Sequence, residues 1–460
     1  MLDIAALFPC PSDAMSQAFE AAPKSLLAVS AAIDYKEALS LTDPRYVSTT
    51  NARAEKFEHR FYSTFGYHRG ETGGFVVPAT GKHVLFFGHV GCGKSTELTQ
   101  MCAELHHPDR YWVVRVNLLD LIDPNDARYS DVWLAVAQQL ITQLLTDQVA
   151  VTDVVLSRLQ RWFTERILTN DQVKEFAAEI KTVAEVGGGI PLVGKLLARF
   201  TSAIKTGSTH RESLRTVVRN TYGEFVGALN QLIIDVTAEV QRVKKGQQIL
   251  FAIDGTDRFR GEDWQRFFVD DANQLTLVKC IAVYTAPMAL KSSGARLDLF
   301  EAIVLPMVKL HEFDEKGARR EGAYSTMRAV LLKRCHHSLF DTVETLDTLI
   351  DFSGGHLRDM LRLLAYACIE SEVPVLNRAA IDAAAQRLAG DYRDWLRSDQ
   401  YPVLVAAACD PENTGTSELI TRLVDGGALL EYNTGSWRKP HPVVKLLTAY
   451  RRAEAALLAA

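Results

Sequence analysis

No stretch of about 18 uncharged apolar residues occurs in this chain. Its first residues, MLDIAALFPCPSDAMSQ, lack the basic start and long apolar core of a secretion signal. The expectation is a cytoplasmic protein with no transmembrane segment. Seven cysteines (Cys10, Cys92, Cys102, Cys280, Cys335, Cys368 and Cys409) are scattered and odd in number, and no two form a CxxC pair. That pattern suits reduced thiols better than a disulfide framework. An excess of positive charge is also missing. The formal net charge of −5 gives no general attraction to nucleic acid and leaves only a local basic patch open. No internal repeat and no low-complexity tract is found.

What remains is ordinary globular composition, with 47% apolar and 23% charged residues in 460 positions. At about 100 to 200 residues per domain, this length predicts about two to four units. Residues 1–58 read as an Ala-rich helical lead-in. KHVLFF then reads as a short buried strand ending in glycines and opening into the helix STELTQMCAEL, with a second strand over 111–119. Strand, helix and strand at this spacing begin a parallel α/β sheet. Residues 129–245 carry helical periodicity and interrupt that sheet. Strand character returns in QQILFAID and KCIAVYTAP, and the chain is then helical to about residue 396. The last sixty residues combine a helix, TSELITRLVDGG, with a hairpin, ALLEYNTGSWRKPH, turned by Asn-Thr-Gly.

Within LFFGHVGCGKSTEL, residues 88–95 match GxxxxGK[ST]. Glycines let backbone N–H groups converge on phosphate oxygens, and the helix N-terminus adds positive partial charge. Lys94 reaches the β/γ-phosphates and Ser95 ligates Mg²⁺. ILFAIDGTD has the pattern of a buried strand delivering an acid, Asp254, towards that metal. Many P-loop ATPases place a water-polarising glutamate next. Here Gly255 follows, and the next acid, Asp257, either orients water from one turn further on or caps a helix. Thr285 ends the strand AVYTAP, either as a sensor aimed at the γ-phosphate or as an ordinary threonine at a strand end. SGGHLRDMLRLL places Arg358 in the first turn of a helix, where it can touch the γ-phosphate.

In this order, GHVGCGKST, ILFAIDGTD, AVYTAP and SGGHLRD resemble the AAA+ and STAND signalling ATPases over roughly residues 80–460. Lid and tail look most like the origin-recognition and replication-initiator branch, and Asp-Gly-x-Asp is similar to STAND proteins. The resemblance implies an α/β fold: a P-loop NTPase parallel sheet with a large helical insertion, a helical lid and a C-terminal winged-helix domain. Its boundaries are 1–58 for the N-terminal segment, 59–310 for the ATPase core with the 129–245 insertion, 311–396 for the lid and 397–460 for the winged-helix-like domain. It also implies ATP or ADP with Mg²⁺ on the loop Gly88, His89, Val90, Gly91, Cys92, Gly93, Lys94, Ser95 and Thr96. Asp254 becomes the Walker B acid, Thr285 the first sensor and Arg358 the second. Arg296, in LKSSGARLDLFEAIVLP, is either a finger reaching a neighbouring subunit's γ-phosphate or a solvated surface arginine. His441, in KPHPVV, is either the winged-helix histidine that holds ADP in STAND receptors or an ordinary helix-start histidine.

VGGGIPLVGKLLARFTSAIKTG pairs a glycine hinge and Pro191 with an amphipathic helix, on which Leu192, Leu196 and Phe200 oppose Lys195, Arg199 and Lys205. Internal or partner packing, a nucleotide-gated element and membrane contact are its three readings. The tail offers little for base readout. Arg422 is alone on the candidate recognition helix, and Arg438 and Lys439 on the wing are the phosphate contacts available. Cys92 is a redox-sensitive thiol at a helix start or a small filler. The expected function is a slow ATPase switch coupling nucleotide state to homo-oligomer assembly or release of a separate effector protein, in a setting such as prokaryotic defence. The alternatives are a DNA-binding initiator or loader, and a scaffold that binds nucleotide without turnover.

Overall fold

The structure is a computed structural model describing residues 13–53, 56–70, 74–78, 81–150, 153–170, 192–206, 211–259, 262–313, 317–433 and 437–459. Its centre is a parallel sheet of β1 (His83–Phe87), β2 (Tyr111–Asn117), β3 (Gln248–Asp254), β4 (Ile281–Ala286) and β5 (Glu301–Val304). Their spatial order is β2-β3-β4-β1-β5. Phe86 of β1 pairs with Thr285 of β4, and Asn117 of β2 with Asp254 of β3. The strand that carries Thr285 therefore lies between the strand feeding the phosphate loop and the strand ending in Asp254.

Uninterrupted apolar runs make these strands suited to burial on both faces. Alternate residues divide between two cores. Leu85, Phe87, Trp112, Phe251 and Tyr284 join the core that contains the insertion helices. Val84, Phe86, Val113, Leu250 and Val283 face the helices Lys94–Leu105 and Phe57–Thr64. The insertion helices thus cover much of one face of the sheet, with Phe267, Phe268 and Phe300 packed on the same side. Trp133, on helix Tyr129–Thr146, is fully buried against His83, Phe251 and Tyr284.

Between residues 129 and 245 every described element is helical. On helix Leu192–Lys205 the apolar residues Leu196 and Phe200 are buried within the fold, so this face has no room for a membrane. The glycine hinge and Pro191 lie outside the described residues. No described helix is long and apolar enough to cross a membrane. The second strand stops at Asn117, two residues before the sequence expectation, because residues 118–121 turn into a short helix.

After β5 come helices Glu321–Leu332, Val343–Ser353, Leu357–Glu370 and Arg378–Arg393. The terminal unit has helices Gln400–Cys409 and Glu418–Asp425, an antiparallel hairpin of β6 (Leu429–Tyr432) and β7 (Trp437–Pro440), and helix Thr448–Leu458. Most of the expected turn, residues 434–436, lies outside the described residues. The N-terminal segment is more than a lead-in. Helix Leu26–Ala32 packs on helix Leu357–Glu370, and the irregular chain after it runs across the phosphate loop.

Candidate nucleotide site

β1 ends at Phe87, and the chain turns through Gly91 and Gly93 at φ of 90° and 94° before Lys94 opens a helix. Those left-handed positions suit glycine, and the open first turn presents N–H groups with no intrahelical acceptor. Lys94 Nζ donates to the carbonyls of Gly88 (2.7 Å) and His89 (3.2 Å) and pairs with Asp257 Oδ2 at 2.9 Å. Its three donors are thereby all engaged. Burial opposes both charges, but each partner outweighs it: Lys94 is held above its ordinary pKa and Asp257 below.

Asp257 does not cap a long helix. It sits in the 3-10 turn Thr256–Arg258, with Thr285 Oγ1 3.4 Å from its second oxygen. Thr285 Oγ1 also accepts from the Gly255 N–H at 3.0 Å. Gly255 has φ of 97°, and a Cβ there would lie 3.1 Å from Leu119 Cγ. The place where a catalytic glutamate often stands is therefore in a backbone conformation that a glutamate rarely adopts. Asp254 is pushed above the usual carboxylate range by burial and then by the charge of Asp257, while the Ser95 hydroxyl and the Gly255 N–H work in the opposite direction. Two neighbouring carboxylates are thus driven apart in protonation.

Three remote segments hold the loop itself. At the start of helix Leu357–Glu370, His356 Nε2 meets the Val90 carbonyl at 2.8 Å and the Arg358 N–H donates to Gly91 O at 3.0 Å. From the terminal hairpin, the Glu431 N–H donates to His89 Nε2 at 2.9 Å. From the N-terminal segment, buried Arg53 donates to the Cys92 carbonyl, to Pro306 O and to Thr49 Oγ1. Glu97, buried on the loop's helix, binds Thr49 and Tyr46. Burial keeps His89 and His356 neutral, with pKa values lowered to about 3 and about 4.

A cleft of about 1030 Å³, including its open mouth, lies over the loop. Its lining includes Lys94, Ser95, Thr96, Asp257 and Arg358, the apolar Val47, Val330, Leu357 and Leu361, two tyrosines, Tyr35 and Tyr46, and charged residues such as Arg45, Glu37 and Arg334. Cations and a helix start in one cleft with apolar and aromatic side chains suit the phosphates and base of a nucleotide. The Ser95 hydroxyl and Asp254 carboxylate are adjacent hard oxygen donors, which fit Mg²⁺.

Of the residues expected from sequence, Lys94, Ser95, Asp254, Asp257 and Thr285 converge, and Arg358 reaches the same cleft, its Nε donating to Tyr35 O at 3.2 Å. Thr96 lines the cleft but spends its hydroxyl on the Leu39 N–H at 3.1 Å. Cys92 is fully buried beneath the loop, a filler rather than an accessible thiol. Arg296 is exposed on the surface and lines neither this cleft nor the one beside it.

His441 is fully buried, lies outside the cleft lining and caps the turn Pro442–Leu446. Its Nε2 lies 3.4 Å from Asp359 Oδ2, which also accepts from Tyr392 Oη at 2.7 Å, and Asp359 stands against His356. His441 is thus two side chains removed from the Val90 carbonyl. On the β6–β7 hairpin, Arg438 is unavailable to phosphate. It is buried and donates to Glu431 Oε2 (2.9 Å), Thr414 and Gly415. Lys439 lies over the Trp437 ring at 5.0 Å.

Sequence reading missed Tyr35, Tyr46, Thr49, Arg53, Glu97, Arg258 and the cap role of His356. Arg53, Thr49, Tyr46 and Glu97 are joined by bonds that span tens to hundreds of positions, which no local pattern signals.

No protein-family model matches the sequence, and no curated protein is detectably similar to it. Among solved structures, a Walker-type ATPase of Pyrococcus abyssi aligns over 80% of this chain and 91% of its own, at 14% identity and a TM-score of 0.35. The parallel α/β sheet and the loop at the end of its β1 strand fit a P-loop NTPase.

Proposed function

We propose that the chain is a slow ATPase of AAA+/STAND type, a switch whose nucleotide state sets the contacts among core, lid and winged-helix-like tail. The observation that carries this reading is the wiring of the phosphate loop. His89, Val90, Gly91 and Cys92 are each bonded to a segment outside the core, so a ligand that shifts the loop alters contacts with the hairpin, the lid and the N-terminal segment together.

Mg²⁺-ATP would sit on the loop with Lys94 on its phosphates and Ser95 and Asp254 holding the ion, whose charge offsets that building on the phosphoryl oxygens. Thr285 and Asp257 would orient an attacking water. Gly255 removes the usual polarising glutamate, which favours slow turnover. The output would be assembly of further copies of this chain or release of a separate effector protein. The buried Arg438 and the single exposed Arg422 weigh against a DNA-reading tail.

Phosphate release by the wild type and by Lys94→Ala tests the reading. A wild-type rate above background that falls to background in the variant is expected. Equal background rates with retained nucleotide binding would leave a scaffold instead.

A further inference from the structure

Arg258 forms part of the wall between two clefts. It lines the nucleotide cleft beside Lys94 and Arg358, and also a second cleft bounded by His356 and by Gly426 and Gly427 of the terminal unit. Its side chain is half-buried and makes no hydrogen bond or ion pair among the described residues. Arg358 is close to the same condition, with its Nε on Tyr35 O and no carboxylate paired to it. The two cations repel: after burial, the charge of Arg258 is the next cause holding Arg358 below its ordinary pKa.

Neighbouring cations are treated differently. Lys94 has Asp257 at 2.9 Å, Arg362 has Asp359 at 2.9 Å and Asp391 at 2.6 Å, and Arg53 has two carbonyls. Asp257 is the nearest acid in sequence to Arg258, yet its oxygens are turned to Lys94 and Thr285. Asp257 is near enough to act on both guanidiniums, but its oxygens are committed to Lys94 and Thr285. Two half-buried cations thus share one space with no acid hydrogen-bonded to either among the described residues, an arrangement that favours an arriving anion. A diphosphate on the loop is served by Lys94 and the helix start. A third phosphate would extend past Lys94 into the part of the cleft that Asp257, Arg258 and Arg358 line.

We propose that Arg258 and Arg358 form a clamp, supplied within one chain, for the terminal phosphate of a bound nucleoside triphosphate, and that Arg258 distinguishes it from the diphosphate. This rests on the phosphate-loop reading above. Arg258 belongs to the core and Arg358 to the lid, so the third phosphate draws the two together and the diphosphate leaves them repelling. Lys94 exchanges Asp257 for phosphate oxygens in the same event. Arg258 also lines the second cleft, so its movement reaches the boundary with the terminal unit.

The test is equilibrium binding of ADP and of the non-hydrolysable AMP-PNP, each with Mg²⁺, to the full chain as wild type, Arg258→Ala and Arg258→Lys. Melting profiles confirm that the variants fold. Arg258→Ala is expected to lose at least tenfold in AMP-PNP affinity while ADP affinity stays within twofold, and Arg258→Lys to fall between. Equal losses for both nucleotides, or no loss for either, would overturn the clamp while the reading of the loop stands. If the wild type binds neither nucleotide, the loop reading fails and the clamp with it.

Discussion

Two buried charge networks in this molecule are built from the same kind of pairing and used in opposite ways. In the insertion, Arg215 Nη2 lies 2.6 Å from Asp131 Oδ2 and Nη1 lies 2.8 Å from Asp126 Oδ2, with Asp131 also accepting from the Arg128 N–H at a helix start. A planar fork fixed between two carboxylates has no reason to exchange, and none of the three residues lines the nucleotide cleft. At the loop, Lys94 and Asp257 are as deeply buried, but the ammonium is a compact charge on a flexible stem, and both groups line the cleft. Burial alone does not identify a working charge pair. Exchangeable geometry and access to an anion do.

The largest effect should come from breaking the fixed network. Arg215→Met leaves Asp131 buried without its partner and is expected to cost about 3–5 kcal/mol in urea unfolding. Lys94→Met, without nucleotide, should cost less, because Asp257 opens onto a cleft where water can replace the lost charge. Equal costs would erase the distinction. Nucleotide should then separate the networks from the other direction. At about 100 times its dissociation constant, Mg²⁺-ATP is expected to stabilise the wild type by about 2.7 kcal/mol. Lys94→Met should lose that gain and Asp126→Asn should keep it, as thermal shifts would show.

Acid should act on the loop's supports before it reaches Asp126 in the insertion. Folded His89 titrates at about 3 and His356 at about 4, both lowered mainly by burial, whereas an unfolded imidazole takes its proton near pH 6.5. Their contribution is therefore complete above pH 6.5 and declines as the unfolded state protonates first. Each histidine should contribute a loss of about 2 kcal/mol between pH 6.5 and 5. Asp126, held low by Arg215 against the opposing effect of burial, loses its contribution only below the ordinary carboxylate range. Melting at pH 7.5 and 5.0 checks this, and His356→Asn, which keeps a helix-capping oxygen but cannot titrate, should shrink the difference.

The fold's centre was legible because its signals are local. Glycines at 91 and 93, apolar runs of strand length and Asp254 at the end of one of them need no partner to be read. Gly255 was legible as an absence, but its cause was not: only the φ of 97° and the nearness of Leu119 explain why glutamate is missing there. Gly255→Glu should accordingly cost about 1–3 kcal/mol through backbone strain and should not raise turnover. The supports of the loop were illegible for the converse reason. Arg53, Thr49 and Glu97 look like ordinary surface polar residues until the chain closes over 48 positions and buries them together. His441 caps the turn Pro442–Leu446, the ordinary helix-start role, and it reaches the loop through Asp359 and His356 and not by lining the cleft.

The smallest effect expected is at Arg296, and it bears on whether the two networks act within one chain. An exposed arginine away from any cleft should change stability by no more than about 0.5 kcal/mol when replaced by alanine. If the terminal phosphate is held by Arg258 and Arg358 of the same chain, turnover per protomer should be independent of protein concentration and equal in the wild type and Arg296→Ala. A finger supplied by a neighbour predicts the contrary: a rate that rises as the protein is concentrated, and a variant that stays at the dilute value throughout. Phosphate release across a hundredfold range of protein concentration distinguishes these outcomes. A rise lost in Arg296→Ala would place part of the phosphate-sensing charge in a second copy of the chain.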